Sequence, residues 1–277
     1  MSDLFDLPQE FVNEVAGAMS GEKIELPFVA PYYWWQNGKP AYKALGSAAY
    51  FGGWASDAAN FEGICQQSGL EIPGNTKRIT LANNEGKEYD VFACRSMPVA
   101  VIAKRSRWMV DETTGKGRGH TQILAYAATG KKEQTGTVYL AWSPVVISGK
   151  GLAAKAIEDA LRDFDRNTAA ARRQYAKNLP AWFFWCNIGT FGEKPEQKMV
   201  GSGQQSPITP ASVYLPKDGN ITAEMLKAWY VGGDIAAVMV DLKKQAKEWL
   251  EAWRENKSTG PAVDAAMPPM PDDFPGF

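Results

Sequence analysis

Apolar residues recur along this chain with two different periods, and the changes of period mark its elements. Leu4, Leu7, Phe11, Val12 and Val15, with Asp3, Asp6, Glu10 and Glu14 between them, predict a short amphipathic helix from Met1 to about Met19. Between Ile24 and Gly53 aromatic residues and glycines crowd together, among them Phe28, Tyr42, Tyr50 and Phe51, which fits short strands and turns. From Lys77 to Ser148 short apolar runs are separated by Gly, Asn and Lys turns. These predict strands around 77–82, 88–95, 98–110, 120–128 and 136–147, and five strands at such spacing predict a barrel. Val99 to Ala103 is apolar at every position, whereas Arg107 to Val110 includes a charge, so this strand has one buried end and one end at a surface.

Beyond Gly149 the period becomes helical. Ala153, Ile157, Leu161 and Phe164 fall on one face of a helix reaching about Lys177. Trp182 to Ile188 reads as another buried strand, and Ser212 to Leu215 as a shorter one. Thr222 to about Glu255 is helical with a break near Gly232 and Gly233, and Leu242, Ala246, Trp249, Leu250 and Trp253 form its later apolar stripe. The last 22 residues contain five prolines and two glycines and predict a flexible tail. The expected fold is therefore mainly β with added helices (α+β). A single domain spans 1–255, its barrel core lies at about 24–215 and its C-terminal helix at about 222–255, and a Pro-rich acidic tail occupies 256–277.

Composition narrows the class without naming a function. At 277 residues, with 45% hydrophobic and 22% charged residues, the chain has an ordinary globular make-up. No apolar run reaches the ~18 residues that span a bilayer, and no basic and apolar leader opens the chain, so a cytoplasmic location is expected. A net charge of −1 provides no bulk attraction to nucleic acid or to an acidic membrane. Three widely spaced cysteines, Cys65, Cys94 and Cys186, fit buried thiols better than a disulfide framework or a zinc site.

Enzymatic signatures are weak. Gly115 to Gly119 is glycine-rich and basic but lacks the spacing of a phosphate-cradling loop. His120 is the sole histidine, which excludes mechanisms that need several imidazoles. Glu158 and Asp159 read as a solvated helix face. Neither a catalytic residue nor a cofactor or metal is expected.

Local charge is more informative than net charge. From Arg95 to Lys132 eight basic residues stand against two acidic ones. Lys104, Arg105, Arg107, Lys116 and Arg118 lie there beside Trp108 and Tyr126. Cations that pair with phosphates, next to rings that stack on unpaired bases, are how single-stranded nucleic acid is held without reading sequence. The run Tyr32, Tyr33, Trp34, Trp35 belongs to the same candidate surface, because consecutive rings on a strand point to both faces. The competing reading places all these rings in a core covered on both sides.

The chain closes with Asp272, Asp273, Phe274, Pro275, Gly276 and Phe277. Acidic residues beside exposed rings need a binding partner to have a use. This ending resembles the tail of bacterial single-stranded DNA-binding proteins, with Gly276 inserted before the final ring. The resemblance covers the last six residues and implies a divergent member of that family, of the kind encoded by a phage or another mobile element. It further implies an OB-fold, coating of single-stranded DNA, and recruitment of replication, repair or recombination proteins through Asp272, Asp273, Phe274, Pro275 and Phe277. Homo-oligomerisation is compatible with it. An annealing or recombination-mediator protein with the same ligand chemistry, or an assembly protein with a docking tail, are the alternatives.

Overall fold

A computed structural model describes residues 25–39, 41–42, 51–82, 86–110, 117–134, 136–177, 179–190, 196–200 and 204–253. The helix expected at 1–19, Lys116 and the 256–277 tail lie outside the described residues.

The strands are β1 (Tyr32–Lys39), β2 (Ala41–Tyr42), β3 (Phe51–Asp57), β4 (Lys77–Ala82), β5 (Glu88–Cys94), β6 (Ser96–Val110), β7 (Gly117–Glu133), β8 (Gly136–Lys150), β9 (Cys186–Gly189), β10 (Glu196–Val200), β11 (Gln204–Ile208) and β12 (Ser212–Val213). The helices are α1 (Ala58–Ser68), α2 (Leu152–Tyr175), α3 (Ala223–Trp229), α4 (Gly233–Gln245) and α5 (Lys247–Glu251). Ten strands make one sheet in the order β12-β9-β6-β7-β8-β1-β3-β5-β4-β2, and β10 pairs with β11 separately. Within the large sheet β1 and β8 run parallel. The chain is thus mixed α and β around one large, mostly antiparallel sheet. Among the described residues no helix is long and apolar enough to cross a membrane.

Two places in the strand order explain the shape. β6, β7 and β8 form a meander of long hairpins. β5 and β6 stand five places apart in the order, yet Arg95 alone separates them in sequence. The sheet between them must curl until its ends meet, and Trp54 on β3 donates its indole N–H to Ile188 O on β9 at 2.8 Å across the interior.

Each face of the sheet is covered by helices. On one face the side chains of Val99, Val101, Ile123, Ala125, Val145 and Ile147 meet the apolar stripe of α2, where Ala153, Ile157, Leu161 and Phe164 are buried. Full burial stabilises each of the larger side chains by about 1.5–3 kcal/mol, which accounts for a 24-residue helix lying flat on this sheet. On the other face Ala100, Ile102, Leu124 and Val146 meet Met239, Leu242, Ala246 and Trp249 of α4 and α5.

The strand at 77–82 is observed where it was expected, and the strands expected at 88–95, 98–110, 120–128 and 136–147 are β5 to β8, with β7 and β8 longer than the pattern indicated. Trp182 to Ile188 departs from expectation: a 3-10 turn at Ala181–Phe183 precedes the short β9. Helix α1 was not anticipated. Asp57 accepts the Asn60 N–H at 2.9 Å at its start, and Gly69, at φ 64°, ends it in the left-handed conformation that glycine adopts without strain.

Candidate nucleic-acid interface

The basic stretch falls on the outer half of the β6–β7 hairpin. The register there sets Arg105 opposite Gln122, Arg107 opposite His120, and Trp108 opposite Gly119. β8 stops pairing at Lys150, opposite His120, so the hairpin continues beyond it as a ribbon of two strands. Because strand side chains alternate, the ribbon divides the expected cluster between its faces.

Lys104, Ser106 and Trp108 point to the α2 side. Lys104 Nζ lies 3.5 Å from Glu158 Oε1, and the same carboxylate oxygen accepts the Thr121 hydroxyl at 2.9 Å. Trp108 is 60% exposed, the highest value among the large apolar side chains of the described residues. Its indole lies against Gly117, where an added Cβ would stand only 2.3 Å from Nε1. At Gly119 nothing lies within 4 Å of such a Cβ. The indole therefore rests on bare backbone on one side and faces solvent on the other.

Arg105 and Arg107 point to the opposite face, beneath the end of the C-terminal helices. The Arg105 guanidinium carbon sits 3.6 Å from the Trp249 ring centre and 4.3 Å from that of Trp253, and Arg107 lies 4.4 Å from Trp253. Arg105 also donates to Gln122 Oε1 and to Trp249 O. Burial first, and then the charge of Arg107, pull its pKa down to about 9, so it stays cationic at neutral pH. Among the described residues no carboxylate forms an ion pair with either arginine, and the buried Arg107 Nε has no hydrogen-bond partner.

His120 shares this face, its ring 4.9 Å from Trp253. Its nitrogens meet Ser148 Oγ at 2.8 Å and Met109 Sδ at 3.1 Å. All three cysteines are buried. Burial raises the Cys94 thiol to about 12 and the Cys186 thiol further, so both are held as neutral thiols. Among the described residues no cluster of three or more His, Cys, Asp or Glu is placed to hold a metal ion.

The aromatic run on β1 is divided by the same alternation. Tyr33 and Trp35 are 1% and 5% exposed and belong to the core beneath α2. Trp35 spends its indole N–H on Thr209 O at 2.8 Å and packs edge-on against Trp54 at 4.7 Å. Neither ring is presented to a ligand, which is the covered-core reading of the pair. Tyr32 and Trp34 are partly buried on the opposite face. Tyr126 is also partly buried there, with Trp185 6.5 Å away. The structure thus places Lys104 and Trp108 on one face of β6, four residues apart along the strand, and brings Arg105 and Arg107 together over Trp253 on the other. The side chain of Arg118, Lys116, and the tail residues Asp272, Asp273, Phe274, Pro275 and Phe277 lie outside the described residues.

The part of this site that the sequence did not disclose is the cover made by Trp249 and Trp253. Both were read as an apolar stripe, and nothing local marks them as partners of arginines so distant in sequence, Arg105 being 144 residues from Trp249. Comparison with protein-family models, with curated proteins and with solved structures found no match for this chain.

Proposed function

We propose that this protein is a non-catalytic, sequence-independent single-stranded DNA-binding protein that coats and protects single strands and recruits replication, repair or recombination proteins through its acidic, Phe-terminated tail. The observation that carries the reading is the presentation of Trp108, an indole laid on glycine backbone at the free end of a two-stranded ribbon. A base can stack on its outer face, and base stacking tolerates any sequence because every base has a π face. A strand following the β6 edge passes Lys104 and Trp108 on the α2 side, while the Arg105 and Arg107 guanidiniums lie behind that edge against Trp249 and Trp253 and add their positive charge there. The curl that joins β5 to β6 at Arg95 supports an OB-like barrel, a scaffold suited to this ligand, as the core of the fold.

The test is anisotropy of a labelled oligothymidine titrated with the full chain at low and at moderate salt, followed by competition with unlabelled duplex. Tight binding to the single strand, weakening as salt rises and poorly competed by duplex, is the expected result. Absence of binding at low salt overturns the proposal and leaves the assembly-protein alternative.

A further inference from the structure

At its other end the meander carries a second ribbon. β6 pairs with β7 only as far as Ala127, and β1 pairs with β8 only as far back as Val146. Ala128–Glu133 and Gly136–Ala141 therefore pair with each other, and among the described residues neither outer edge carries a further strand. Three consecutive residues of β8 are exposed here: Val138 at 38%, Tyr139 at 44% and Leu140 at 49%. Consecutive residues face opposite sides, so the ribbon is apolar on both.

The two edges differ in charge. The β7 edge carries Lys131, Lys132 and Glu133, the charges that normally blunt an exposed edge against pairing. The β8 edge reads Thr137, Val138, Tyr139, Leu140, Ala141, Trp142 and has none. A segment so rich in β-branched and aromatic residues, with no described strand paired to its outer edge, is a template for another strand.

We infer that the β8 edge is a homodimer interface, in which two copies of this chain pair Thr137–Ala141 antiparallel about a two-fold axis at Tyr139. The backbone register supports this occupant. A two-residue loop makes Glu133 and Gly136 a hydrogen-bonded pair, so inward and outward groups alternate from there. Thr137, Tyr139 and Ala141 then turn their N–H and C=O outward. About an axis at Tyr139, each Thr137 meets the other copy's Ala141, and the outward groups pair without a slip. Val138 of one copy meets Leu140 of the other, and the tyrosines face each other. No charged residue opposes its like across the axis. A nucleic-acid occupant would require cations, and the lysines lie on the opposite edge. The Tyr139 hydroxyl accepts a hydrogen bond from Asn187 Nδ2 at 3.3 Å, which ties the side chain at the axis to β9 of its own copy.

The inference stands independently of DNA binding. It is tested on the full chain without nucleic acid, by sedimentation across a concentration series. The wild type should form a dimer, and Val138→Lys with Leu140→Lys should weaken it at least about tenfold by setting lysines opposite each other. A wild type that stays monomeric throughout, or a dimer that survives both lysines in a folded variant, overturns it. Should that variant fold poorly, Tyr139→Cys decides. The three native cysteines are buried, so mild oxidation of this variant should yield a covalent dimer through residue 139, and its absence rejects the register.

Discussion

Replacing Trp108 by alanine removes the one large ring that the β6–β7 ribbon presents to solvent, and its consequence for affinity follows from the geometry. The indole lies against the Gly117 backbone and is 60% exposed. Its loss should alter folding stability by no more than about 0.5 kcal/mol, as for other exposed positions. A base stacked on that face is worth about 1–3 kcal/mol. At 1.4 kcal/mol per tenfold, the dissociation constant for oligothymidine should rise about 5- to 150-fold. Because the cations remain, the slope of log affinity against log salt should stay unchanged. Anisotropy titrations at several salt concentrations measure both quantities, and a urea melt measures stability. Trp108→Phe should recover most of the loss, since a smaller ring still stacks. Trp35, Trp54, Trp249 and Trp253 are buried, so the Ala variant should also lose much of the fluorescence quenching that DNA causes. An affinity within twofold of wild type, or a loss matched by an equivalent drop in stability, would refute the reasoning.

Gly117→Ala should act on the same ring from below, because its Cβ would stand 2.3 Å from the Trp108 indole nitrogen and displace it; the oligothymidine titration should show weaker binding with an unchanged urea midpoint. Arg105→Ala should instead cost about 1–3 kcal/mol of stability, read from the urea melt, since it strips hydrogen bonds from Gln122 and Trp249 O and the cation from two indoles. Deleting Asp272 to Phe277 should leave the melt unchanged and oligothymidine affinity equal or slightly higher, while pull-downs of replication and repair proteins are lost.

Much of the scaffold was legible because its signals are local. The apolar runs of β4 to β8 between Gly, Asn and Lys turns, and the four-residue spacing of Ala153, Ile157 and Leu161, are consequences of burying strands in a covered sheet and one face of a helix, and the sequence carries them directly. Helix α1 escaped because Ala58 to Ser68 has few large apolar residues, although Asp57 and Gly69 mark its ends. The site was legible only in part. Arg105 and Arg107 share the parity that separates them from Lys104 and Trp108, but a parity does not say which face is covered. That depends on α5 arriving from a distant part of the chain, and no local period encodes the contact. The same holds for Tyr33 and Trp35, whose burial depends on α2 and on Thr209 O rather than on their own neighbours.

The central claim is that a single strand of DNA lies on the β6–β7 ribbon with a base against Trp108. Photocrosslinking of the full chain to an oligonucleotide containing 5-bromouracil, with the adducts located by mass spectrometry, tests it most directly, since this base couples to aromatic rings in stacking contact. The account predicts a dominant adduct on the peptide carrying Trp108, suppressed in Trp108→Ala and in Gly117→Ala. Adducts confined to other rings, such as Tyr139 on the opposite ribbon or Trp34 on β1, would contradict it.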